Sequence, residues 1–192
     1  MKPMKYSRMI ALAALCLFAG TASAHTGNHT TVTGFAGGLA HPLTGLDHLF
    51  AMIAIGLWAA QQGGRALWAV PAAFVGAMAV GGMLPWSGIA LPHVETAIAL
   101  SVLVLGLLIA TRRQWAVTAG MALAAGFAVF HGYAHGLEMP LAASPALYGL
   151  GFVLATLGLH GLGIVGSLIG RHAVQVTGAG IAVTGLALIF AL

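Results

Sequence analysis

The stretch FHGYAHGLE, residues 130–138, places two histidines and a glutamate in a run otherwise dominated by apolar residues. On a helix His131, His135 and Glu138 fall at i, i+4 and i+7, so their side chains share one stripe. Two imidazoles four apart, with a carboxylate one turn further on, is spacing that helical metal sites use. Helix packing, with the imidazoles bonded to neighbouring carbonyls, is the competing explanation. A second group, HPLTGLDH at 41–48, puts His41 and His48 seven residues apart on one helical face. Asp47 points about 100° away from His48, toward a neighbouring helix or toward an imidazole it would orient as an outer carboxylate. His41 could instead cap the helix, with Asp47 an acid favoured by the positive helix end. A third group, LPHVE at 91–95, sets His93 and Glu95 in the first turn of a helix opened by Pro92. There the helix dipole explains the carboxylate as well as a ligand role does.

Composition says what surrounds these groups. The chain has 192 residues, 60% of them hydrophobic and 5% charged, and its mean hydropathy is +1.00. A soluble domain carries about 25% charged residues, so lipid is the expected solvent. The net charge of +4 comes from basic residues scattered between apolar segments, with no run or face that could follow a nucleic-acid backbone. Residues 1–24 have the layout of a cleaved signal peptide: basic Lys2, Lys5 and Arg8, an apolar core, and the small residues Ala22, Ser23 and Ala24. Cleavage after Ala24 leaves four arginines, three acids and no cysteine. Thiolate catalysis, disulfides and cysteine metal sites then drop out.

The remaining 25–192 read as a single all-α domain, a polytopic membrane bundle. Six segments reach the roughly 20 apolar residues that a span needs: 34–60, 66–85, 92–110, 115–138, 146–168 and 173–192. Arg65, Arg112 with Arg113, and Arg171 follow the first, third and fifth spans, which puts them on one side. By the positive-inside rule that side is the cytoplasm, leaving both mature termini in the periplasm. The 28 glycines, at spacings such as Gly34/Gly38, Gly132/Gly136 and Gly166/Gly170, suit close helix packing, within one chain or in a homo-oligomer. Three spans followed by three would also allow inverted repeats, though no sequence match between the halves supports them.

Ionisable side chains in a span cost about 2.5–3.5 kcal/mol each on insertion scales. The three acids Asp47, Glu95 and Glu138 each have a histidine within three residues. With helix directions assigned, three segments deliver His41, His48, His93, His131, His135 and these acids to one layer in the outer half of the membrane. His160 lies deeper and toward the cytoplasm, as an onward relay or as a packed core histidine. His25 and His29 flank the new N-terminus, where they could gather cations, and His172 reads as surface. Imidazole and carboxylate without thiolate suit borderline divalent ions, while hard Mg²⁺ prefers all-oxygen shells.

The paired motifs H-x5-D-H and F-H-G-x-A-H-G-x-E, with the leader and six short-looped helices, resemble the HupE/UreJ family over nearly the whole mature chain. These bacterial membrane proteins are associated with hydrogenase and urease systems and are regarded as nickel permeases. The resemblance implies a non-enzyme: ATP-independent Ni²⁺ transport from periplasm to cytoplasm across the inner membrane, with no resident cofactor and with membrane lipid and the ion as partners. It matches His41, Asp47 and His48 to the first motif and His131, His135 and Glu138 to the second. Co²⁺ and Zn²⁺ stay open as cargo. Two other readings stand beside transport. One is an intramembrane zinc hydrolase using His48, His131 and His135 with Glu138 as base. The other is a non-transporting metal sensor or assembly subunit.

Overall fold

The computed structural model describes residues 34–140 and 144–192. The leader, His25 and His29 fall outside that range. Every element among the described residues is helical: α1 (Phe35–Ala40), α2 (Leu46–Gln62), α3 (Ala66–Met83), α4 (Val94–Thr111), α5 (Val117–Glu138), α6 (Pro145–Gly166) and α7 (Arg171–Ala191). Short 3-10 turns lie at His41–Leu43, Pro85–Ser87 and Ser167–Ile169. Helices α3 to α7, with the turns that extend α3 and α6, are long and apolar enough to cross a membrane. Each begins and ends within two residues of its expected span. Proline opens α6 at its first position, where a missing N–H costs nothing, and left-handed Gly63 and Arg112 close α2 and α4.

The first expected span, 34–60, is made of two helical pieces. Phe35–Leu43 meets Leu46–Gln62 at 84°, and only if this bent pair counts as one span does the total reach six. The local sequence explains the break. Pro42 has no N–H to give to the carbonyl four residues back. The Thr44 backbone N–H and hydroxyl both donate to the His41 carbonyl, at 3.0 and 2.7 Å, which closes a tight turn. Gly45 is then extended, and α2 starts in a new direction.

Helix α2 is the centre of the bundle, packed against α3, α4 and α6, with Met52, Ile55 and Trp58 fully buried. Elsewhere glycine sets the spacing. A Cβ at Gly132 or Gly136 of α5 would overlap the carbonyl oxygen of Met78 or Gly82 in α3, so these backbones touch only because both positions lack a side chain. Gly56 and Gly163 do the same between α2 and α6, and Gly38 and Gly151 between α1 and α6. The pairs Gly34/Gly38 and Gly166/Gly170 behave differently: Gly34, Gly166 and Gly170 crowd no neighbour.

Candidate metal centre

Helix directions bring the chemistry to one end of the bundle. At the other end, Gln62 donates to the Arg113 carbonyl and accepts from the Trp115 N–H, which ties the end of α2 to the loop before α5. Gln61, Arg112, Ser167 and Arg171 line a cavity of about 150 Å³ there. From that arginine end α5 runs roughly 30 Å to Glu138, at 1.5 Å per residue. Helices α2 and α6 point the opposite way, so His41, His48 and Tyr148 near their starts lie at the Glu138 end.

Four histidines and one glutamate meet there. His41 Nε2 donates to Glu138 Oε2 at 2.9 Å, and His135 Nδ1 stands 3.8 Å from the same oxygen. One ligand atom each from His41, His135 and Glu138 falls within 4.8 Å of the other two, a set able to hold a metal ion. The rings run on inward: His41 to His135 at 4.9 Å, His135 to His48 at 4.1 Å, and His48 to His131 at 5.1 Å between centroids. Phe152 lies 4.1 Å from the His135 ring and walls this column on the α6 side. Glu138 is half-buried, His135 nearly closed off and His131 wholly so. The column therefore deepens from a partly open mouth to a sealed interior.

The hydrogen bonds are consistent with one placement of the protons. Ser101 Oγ of α4 donates its only hydrogen to the Ile98 carbonyl at 2.7 Å, so it must accept from His131 Nε2 at 2.9 Å. In a neutral imidazole His131 Nδ1 is then the acceptor, and His48 Nδ1 donates to it at 2.9 Å. The lone pair of His48 is left on Nε2, the atom a metal would use. Ser101 was not among the sequence candidates. Its only sequence signal is a hydroxyl in an apolar helix, and that is ordinary.

The other candidates lie elsewhere. One oxygen of Asp47 accepts the His48 backbone N–H at 2.8 Å, so it braces the first turn of α2 instead of turning an imidazole. His93 is not in the first turn as expected. It precedes α4 as a left-handed residue (φ 55), and it and Glu95 are exposed. His160 lies one turn beyond Thr156 in α6, 2% exposed, and donates from Nδ1 to the Met52 carbonyl at 2.9 Å. His172 is exposed in the first turn of α7.

Long apolar helices, packed through glycine around an interior imidazole–carboxylate column, define a multi-pass membrane protein. The chain belongs to the HupE/UreJ family, whose model, described as HupE / UreJ protein, matches residues 13–188. It is similar to Protein HupE of Rhizobium leguminosarum bv. viciae, 44% identical over 191 residues that cover 97% of this chain and 99% of the relative. No solved structure matches the chain.

Proposed function

We propose that the protein carries a divalent transition metal ion, Ni²⁺ above all, from periplasm to cytoplasm across the bacterial inner membrane without ATP, supplying a nickel enzyme. The observation that carries this reading is the set His41, His135 and Glu138, whose ligand atoms gather within 4.8 Å at the mouth of a column of imidazoles. Three donors leave part of the ion's shell to water, which suits an ion that must also depart. Family membership and the spanning helices support transport over catalysis, with lipid as the surrounding solvent.

An arriving ion sheds some water and binds Glu138 and His135. His41 joins only when the proton on Nε2, now given to Glu138, leaves or moves to Nδ1. The ion then passes to His48, whose ring is positioned by the hydrogen bond between its Nδ1 and His131 Nδ1. A zinc hydrolase would need His131 to turn a nitrogen toward the metal. Both of its ring nitrogens are engaged, by His48 and by Ser101, so that reading gains no support.

The test is uptake of radioactive Ni²⁺ into proteoliposomes of the purified protein, with Co²⁺ and Zn²⁺ as competitors. Saturable uptake is expected, and the competitor that suppresses it most strongly ranks the cargo. Tight, slowly exchanging Zn²⁺ with no flux would overturn the proposal in favour of a hydrolase or a sensor.

A further inference from the structure

Beyond the histidine column lies a group of side chains that the reading so far leaves unused. Met52 is one turn past His48 on α2, Thr156 one turn past Phe152 on α6, and Met78 one turn from Phe74 on α3. The Thr156 hydroxyl, fully buried, lies 3.4 Å from Met52 Sδ and 3.9 Å from Met78 Sδ. His160 follows Thr156 at i+4, on the same face of α6. Its Nδ1 bonds a carbonyl, which can only accept, so Nδ1 carries the hydrogen and the lone pair stands on Nε2. That Nε2 is buried with no hydrogen-bond partner among the described residues. Burying an acceptor unpaired costs free energy that a leucine at this position would not. Phe74 joins the two regions, touching His131 at 5.7 Å and His160 at 5.3 Å between centroids.

From this juxtaposition we infer a second, inner metal station made of Met52 Sδ, Met78 Sδ, Thr156 Oγ1 and His160 Nε2. It rests on the transport reading above and adds a distinct chemistry to it. The outer group offers oxygen and nitrogen, whereas the inner one offers two thioethers and an imidazole, soft and borderline donors that hard Mg²⁺ and Ca²⁺ do not seek. An ion leaving His48 meets the thioethers one turn further in and then His160, with the Phe74 ring, set between His131 and His160, as the partition it must pass. The inner station would therefore set throughput and reject hard cations, while the outer group sets capture.

Ni²⁺ uptake into proteoliposomes separates the two claims, with wild type beside Met52→Leu/Met78→Leu, Thr156→Val and His160→Ala. Leucine for methionine nearly keeps the volume, so packing changes little, and valine for threonine keeps the shape while removing the hydroxyl. Ni²⁺ binding by calorimetry verifies that the outer group survives in each variant. Expected is a maximal rate at least tenfold lower in the double methionine variant and in His160→Ala, at a half-saturating Ni²⁺ concentration within twofold of wild type. Ag⁺, a soft probe ion, should block wild type at concentrations at least tenfold below those needed for the double variant, a difference that a merely structural role would not produce. Wild-type rates and unchanged Ag⁺ sensitivity in all three variants overturn the inner station and leave the transport reading standing. Absence of uptake by wild type itself overturns both.

Discussion

His131 uses both ring nitrogens inside the protein, one with Ser101 and one with His48, so in the proposed transport its part is to position His48. Partners of this kind typically change metal affinity or activity by about 10–100-fold. Ser101→Ala should accordingly lower Ni²⁺ uptake by about that factor with normal expression. Ser101→Thr, which keeps the hydroxyl, should restore it, and equal loss in both would point to packing instead. His135→Ala and Glu138→Gln remove ligand atoms outright. Each should lower Ni²⁺ affinity, read by calorimetry, by more than Ser101→Ala does. The sequence exposed the i, i+4, i+7 stripe on α5 because helical periodicity places those side chains without any knowledge of neighbours. It could not expose Ser101, which matters only through a partner on another helix. Nor could it show that Asp47 accepts from the backbone N–H of His48, or that His93 and Glu95 are exposed.

At the scale of elements, the break after His41 shapes the site. On a straight helix His41 and His48 would lie about 10 Å apart along one face. The 84° bend lets both rings flank His135 instead. Pro42 suits the first turn of a helix, but nothing local required the chain before it to fold aside as α1. That direction comes from docking on α6, where Gly38 meets the Tyr148 backbone and Gly151 meets the backbone of Phe35 and Leu39. The five other spans were legible because lipid demands long uninterrupted apolar runs. Glycine roles were less so, since small-xxx-small spacing cannot say which glycine faces a helix. The structure separates them, and the difference can be measured. Gly132→Ala should destabilise the bundle by about 1–3 kcal/mol, because its Cβ would strike the Met78 backbone. Gly158→Ala, with open space around it, should be neutral or slightly stabilising. Reversible unfolding in detergent micelles reads both; an equal effect would contradict the packing assigned to α3 and α5.

For the whole molecule, gathering Arg112, Arg171 and their neighbours at the end opposite Glu138 gives the bundle an electrical direction. In the proposed orientation, with the arginines inside, an inside-negative potential of 100 mV would favour inward movement of a divalent ion by about 4.6 kcal/mol if it crosses the full field. Imposing such a potential on Ni²⁺-loading proteoliposomes should speed uptake and raise the plateau, and reversing it should suppress both. Uptake indifferent to potential would indicate exchange for an equal charge. Transport as proposed requires the ion to be held at the mouth of the histidine column. The most direct measurement is anomalous X-ray diffraction at the nickel edge from crystals of the Ni²⁺-loaded protein. The predicted result is a peak about 2 Å from imidazole nitrogens of His41 and His135 and bound by the Glu138 carboxylate. A nickel peak confined to surface positions, with these three side chains still hydrogen-bonded to one another, would contradict it.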